Sequence, residues 1–444
     1  MFVVALSMRS GVVGVVPLPQ APADAAQDVD VRGLLAAARG VAPALCVLAS
    51  DGASSGWGGW DAPDLGVRAD VHRLVRDVRA ASLDRADSQA LLDALASDDA
   101  CVRRIAGTLI GRSGDRTFVA SLTPKLASSS ATERAEATRA LGLLGEKSAV
   151  QPVVRLLRDA APAVRANAAW ALGRIGDRAT APGVAALARD QVAEVRGAAV
   201  VALGHLEAAD NVEILLEVLR HDDTASVRRA AAWALGQIGS QAAAQGLATA
   251  LHADKSSAVR EMCAWALGEL EARDVSDALL AALRSDDDPA VRETSAWALG
   301  QMEVKSTADP LAAVVAADKS PRVRATAAWA VGQINPGHAP KGLVAALRDQ
   351  DDDVRLRAAW ALSQIGDPDV ATDVATALRA EQRERVRQAL VRALLESGDR
   401  SSDVFKDLLE SKDRDTREMA VRALAGRRGP WPWPWPQPRP RPNP

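Results

Sequence analysis

The feature that most constrains this chain is a dipeptide that keeps returning. Val-Arg stands at Val102-Arg103, Val164-Arg165, Val195-Arg196, Val227-Arg228, Val259-Arg260, Val291-Arg292, Val323-Arg324, Val354-Arg355 and Val386-Arg387, and from Val164 onward the steps are 31 or 32 residues. The gap between Val102 and Val164 holds a degenerate copy, Glu133-Arg134, and another follows at Thr416-Arg417, giving eleven copies over residues 82–426. A unit this short cannot enclose a core of its own, so the 444 residues are expected to form one stacked array and not three ordinary domains.

Each unit reads as a helix pair. After the Val-Arg comes a helical run such as Ala231–Gly239, and before it an amphipathic segment such as Val275–Arg284. Pro162, Pro289 and Pro321 lie two residues before their Val, where a first-turn proline is tolerated, with Asp288 and Ser320 placed to cap. Gly176, Gly239 and Gly366 follow the last apolar residue, where a left-handed residue ends a helix. In the Val227 copy, Val227, Ala231, Ala234, Leu235 and Ile238 share one face at 100° per residue. One such stripe buries too little alone, and stacking neighbours makes an all-α solenoid.

Two polar rows accompany the repeat. Asp stands five residues before the Val at Asp159, Asp190, Asp222, Asp254, Asp286, Asp318 and Asp349, and the Arg after the Val follows at Arg165, Arg196, Arg228, Arg260, Arg292, Arg324 and Arg355. One acid and one base per layer predicts a structural ladder of hydrogen-bonded ion pairs, since a residue present in every repeat is rarely a unique catalyst. A phosphate-binding arginine row would require the acids to face elsewhere. The second row is aromatic. Six of the eleven Trp, namely Trp170, Trp233, Trp265, Trp297, Trp329 and Trp360, occupy the sixth position after the Val, about 140° from the centre of the apolar face. They are therefore expected to flank or line a surface. One turn later, Arg174, Gln237, Glu269, Gln301, Gln333 and Gln364 lie on the same side of the helix. The alternative is that the indoles only wedge against the neighbouring second helix.

The run Val-Arg-x-x-Ala-Ala-Trp-Ala-Leu-Gly-x-Ile-Gly-Asp, seen at Val164–Asp177 and, with Ser for the Gly, at Val354–Asp367, resembles the short HEAT-like repeat named after phycobilisome lyases. The resemblance implies a right-handed α-solenoid whose second helices line a concave groove. It says much about fold and little about function, since similar repeats occur in bilin lyases, in a deoxyhypusine hydroxylase and in interaction scaffolds. A groove lined by Trp and Gln is similar to the Trp/Asn ladder with which armadillo-type nuclear import receptors hold extended peptides. At about 8–10 Å between packed helices and about 3.1 Å per residue of extended chain, each layer would serve about three ligand residues. The expected function is thus a non-catalytic scaffold or adaptor for a protein or extended peptide, without cofactor; the alternative is a bilin-lyase-like or oxidoreductase-type subunit.

Other classes are disfavoured by composition. The 57 Asp+Glu balance 54 Lys+Arg, which excludes a generally basic nucleic-acid coat. The five His never precede Glu, so the iron-holding His-Glu pairs of the hydroxylase are missing, and no short metal-binding spacing occurs. Cys46, Cys101 and Cys263 are too scattered for a disulfide-rich scaffold or a zinc site, and Cys263 falls at an apolar helix position. His205 takes the place of Gln in the outer polar row.

The ends differ from the middle. Residues 1–27 fit either a secretory signal, with Arg9 ahead of a short apolar run and small residues Ala21 and Ala23 near its end, or an unstructured start. The first would place the protein in a bacterial periplasm or cell envelope, the second in the cytoplasm. Residues 28–81 are expected to form a helical cap, with helices at Val31–Arg39, Ala42–Ala49 and Ala69–Ala80. Residues 427–444 alternate Pro with Trp, Gln, Arg and Asn, which predicts a stiff polyproline II tail with Trp431, Trp433 and Trp435 on three different sides.

Overall fold

The computed structural model describes residues 31–39, 85–397 and scattered positions between 406 and 421. The expectations for residues 1–27, for the helices at Ala42–Ala49 and Ala69–Ala80, and for the tail 427–444 lie outside the described residues. Among the described residues there are helices and no strand, and no helix is long and apolar enough to cross a membrane.

The helices alternate in two layers. The second helices run Ala100–Ser113, Ala131–Leu144, Pro162–Ile175, Ala193–His205, Ala225–Ile238, Ser257–Glu269, Pro289–Met302, Pro321–Ile334, Asp352–Ile365 and Glu384–Glu396. Each is preceded by a shorter first helix, such as Val212–His221, Ala244–Ala253 or Ser276–Ser285, usually entered through one 3-10 turn like Arg273–Val275. Helix Val31–Ala38 lies against the first pair, Arg85–Ala94 and Ala100–Ser113, and buries Val31 there. Val and Leu of both helices of a pair make the centre: Leu247, Val259 and Leu267 are fully enclosed. Cys263 is equally enclosed, and burial pushes its thiol pKa far up, so it is a small core residue and not a nucleophile.

Successive second helices pack along their whole length, whereas successive first helices meet only sparsely. The cause is in the side chains. On the second helix the ninth position after the Val is Gly in most repeats. A Cβ built on Gly236 would lie 3.1 Å from Ala266 Cα, and one on Gly332 2.8 Å from Ala361 Cα. Gly and Ala facing each other let these backbones approach closely, while the larger side chains of the first helices hold that layer apart. The second-helix layer is thereby the inner side of the curve.

Helix ends follow the expected signals with one exception. Gly176, Gly239 and Gly366 are left-handed, with φ of 77°, 72° and 64°. Glu207, Glu271, Glu303 and Asn335 take the same conformation in other repeats, at a steric cost glycine does not have. Asp288 caps Ala290 N at 2.9 Å, but the Ser320 hydroxyl makes no cap; its own N–H donates to Asp318 Oδ1 at 2.8 Å.

Candidate partner-binding face

The Asp and Arg rows come together across layers. Arg165 donates Nε to Asp190 Oδ2 at 2.8 Å and Nη2 to Asp190 Oδ1 at 2.9 Å, while its Nη1 donates to the backbone oxygen of Asp159 at 2.9 Å. The same fork joins Arg196 to Asp222, Arg228 to Asp254, Arg260 to Asp286, Arg292 to Asp318 and Arg324 to Asp349. Each carboxylate also accepts the N–H two residues on, as Asp254 does from Ser256 at 2.9 Å. Two rungs were not legible as Val-Arg or Asp: Arg134 of the degenerate copy forks to Asp159, and Arg355 to Glu381. Each of these guanidinium groups therefore spans from its own loop to the next repeat's loop. The Arg hydrogen bonds lower the pKa of Asp159 and Asp190. For Asp254, Asp286 and Asp349 burial opposes ionisation, and the Arg forks with the backbone N–H overcome it, so these too are lowered.

The indoles depart from expectation. Trp233, Trp265, Trp297 and Trp360 are 8% exposed and Trp329 4%; only Trp170 is half-buried. A Cβ built on Gly236 would meet Trp265 Cζ3 at 2.9 Å, and one built on Gly268, Gly300 or Gly332 would meet the same atom of Trp297, Trp329 or Trp360 at 2.7, 2.7 or 2.6 Å. Each ring is thus seated over the glycine of the preceding repeat, as a wedge between inner helices. The helical wheel failed because it assumed one buried face. An inner helix of a stack has three: toward its own first helix and toward both neighbouring inner helices. The sixth position points at the preceding neighbour.

What the face does expose is the row one turn further on. Arg174, His205, Gln237, Glu269 and Gln301 are exposed, and Gln333 and Gln364 half-buried, one per layer beside the indole seam. His205 sets the edge of its imidazole on Trp233, with centroids 5.1 Å apart and planes at 68°; desolvation against the neighbouring layers, followed by Arg174, lowers its pKa. Arg174 lies over the ring of Trp170, 6.0 Å from the centroid. Nearer the start of the inner helices runs a second charged line that sequence reasoning missed. Arg322 pairs with Glu293 at 2.9 Å and Arg357 with Asp353 at 3.7 Å. Half-buried Glu261 has its pKa raised by burial and then by Asp288. The signal of this line was the polar residue one position before the Val or two or three after it, which varies from repeat to repeat and so hides from a period search.

A family model described as HEAT repeats matches residues 119–204, 182–268, 245–332 and 308–395, which together span 119–395, more than half of the chain. A crystal structure of an engineered protein is 21% identical, covering 76% of this chain and 98% of that one at a TM-score of 0.40. A chain from a structure titled for Kap95p binding to RanGDP is 12% identical; the match covers 89% of this chain and 63% of that one at a TM-score of 0.56. At that identity the likeness shows the fold alone. No curated protein sequence is significantly similar. Tandem matches and stacked helix pairs together show that the chain belongs to the HEAT-repeat family.

Proposed function

We propose that the protein is a non-catalytic scaffold that holds a protein segment or extended peptide along its inner face, and that its repeats are of the short kind named after phycobilisome lyases. The observation that carries the reading is the row of Arg174, His205, Gln237, Glu269, Gln301, Gln333 and Gln364, one solvent-reaching side chain per layer on a face whose floor is buried. Carboxamides donate and accept, so each can pair with the free N–H and C=O of an extended ligand. Buried indoles hold their layers at fixed spacing, which lowers the ordering cost of binding. Trp265 and Trp297, the natural residues to mutate had the rings been exposed, are poor probes of recognition because their loss would loosen the layers.

The test is positional. A photoreactive p-benzoylphenylalanine placed at Gln301 on the inner face, or at Ala281 on the exposed side of an outer helix, is irradiated with a library of extended peptides. Adducts at 301 and none at 281 support the reading. Equal labelling at both, or labelling at 281 alone, overturns it.

A further inference from the structure

The Val195 repeat keeps the inner-face glycine, Gly204, but departs from its neighbours at three other positions of that face. Where they place Trp it has Val201, where most place Gln it has His205, and its second position is Gly197. The consequence shows at Gly173. A Cβ built there would meet Ala202 at 2.8 Å but no indole, whereas one built on Gly142, Gly204, Gly236, Gly268, Gly300 or Gly332 meets a Trp edge in each case. Trp170, on the near side of this interruption, is the one indole of the row left half-buried, and Val201, 6% exposed, takes the place of the missing ring as a low floor. On the far side stands Trp233 with His205 against its ring.

Two cations bracket the recess, and neither is held by an acid. Arg174 rests on the Trp170 ring, and among the described residues it has no hydrogen bond or ion pair. Arg229, half-buried, has its pKa lowered by burial; Glu261 opposes that shift only through its charge, with no hydrogen-bonded carboxylate on Arg229 among the described residues. The ladder arginines, each forked to an acid, and Arg322, paired with Glu293, behave otherwise. A guanidinium without a hydrogen-bonded counter-ion, exposed at Arg174 and half-buried at Arg229, favours an anionic ligand. An aromatic side chain entering over Val201 would complete the missing ring of the row and reach both Trp170 and Arg174.

We propose that this interruption is the specificity pocket of the inner face: it takes one aromatic side chain of an extended partner peptide, over Val201 between Trp170 and Trp233, with a carboxylate of the same peptide on Arg174 and another on Arg229. The two arginines belong to layers two apart, about 16–20 Å at the usual helix spacing, and stand at opposite ends of the inner-helix face, about 12 Å apart along the axis; an extended chain at about 3.3 Å per residue covers the diagonal of about 20–23 Å in six to seven residues. The recognised pattern is therefore acid, aromatic, acid, with the aromatic residue near the middle. This deepens the inner-face reading and rests on it.

The probe is a fluorescein-labelled peptide, Asp-Ser-Ser-Trp-Ser-Ser-Asp with blocked ends, titrated with the full chain and followed by anisotropy. Controls replace both Asp by Lys, or the Trp by Ala. Binding by the first peptide, weakened at least tenfold in either control, is the expected result. Val201→Trp restores the residue found in the other layers and should weaken binding at least tenfold without lowering the melting temperature. Arg174→Gln, the residue four other layers carry at that position, should weaken binding several-fold and keeps the test decisive should Val201→Trp fold poorly. Undiminished affinity in both variants, equal affinity for the Lys peptide, or no binding of the acidic peptide overturns the proposal. If library peptides still crosslink at position 301 in that case, the inner-face reading stands and only the pocket is lost.

Discussion

Two seams join each repeat to the next, and they do so by opposite physics. Along the loops, Arg260 reaches Asp286 through a two-pronged ion pair with side chains 16% and 7% exposed. Along the inner helices, Trp297 is seated over Gly268 by shape alone. The first is polar, directional and sensitive to pH; the second is apolar and sensitive to volume. Their difference teaches why the exposed polar row can vary in charge, from Arg174 to Glu269, without loss of register. Neither the Arg–Asp forks nor the Trp–Gly contacts are made by that row.

The comparison breaks most visibly at the indole. Trp297→Ala should cost about 3–5 kcal/mol in urea unfolding, the range for emptying a buried aromatic site, whereas a surface ring would cost under about 1 kcal/mol. Arg260→Ala leaves Asp286 without its fork and should cost about 2–3 kcal/mol, toward the low end for a buried pair because solvent reaches its rim.

A pH series sharpens the distinction. The carboxyl pKa values of Asp159, Asp190, Asp254, Asp286 and Asp349 are lowered on folding, so below about pH 4, the ordinary Asp range, the unfolded chain binds more protons. The contribution of the ladder is complete above that pH and is lost as pH falls through the folded values. The urea midpoint should therefore drop as pH falls below about 4.5, and the drop should be shallower in Arg260→Ala than in Trp297→Ala. Smaller and opposite in sign is Glu303→Gly, which relieves a left-handed glutamate with φ of 52° and should stabilise by about 0.5–1 kcal/mol, read as a raised melting temperature. Smallest of all, Gln301→Ala should move stability by less than about 0.5 kcal/mol.

Much of this was legible in the sequence because the period carries it. The Val-Arg steps located the inner helices, Gly176 and Gly239 their ends, and the matched Asp and Arg rows pointed to a ladder. What a single helix cannot reveal is which neighbour a residue meets. Arg165 and Asp159 look like partners within one repeat, yet the carboxylate Arg165 forks to is Asp190, one layer on. Trp265 sits far from the apolar stripe of its own helix, and only the glycine of the preceding one, Gly236, explains its burial. The charged line of Glu261, Glu293, Arg322 and Arg357 escaped notice because its members occupy different positions in successive repeats and are assembled only by stacking.

The claim on which the functional account turns is that recognition belongs to the carboxamide row and cohesion to the rings beneath it. Its most direct measurement is the dissociation constant, for the peptide that crosslinks most strongly at position 301, of the triple variant Gln237→Ala, Gln301→Ala, Gln333→Ala. The account predicts a loss of at least tenfold; an affinity equal to that of the unsubstituted chain would contradict it.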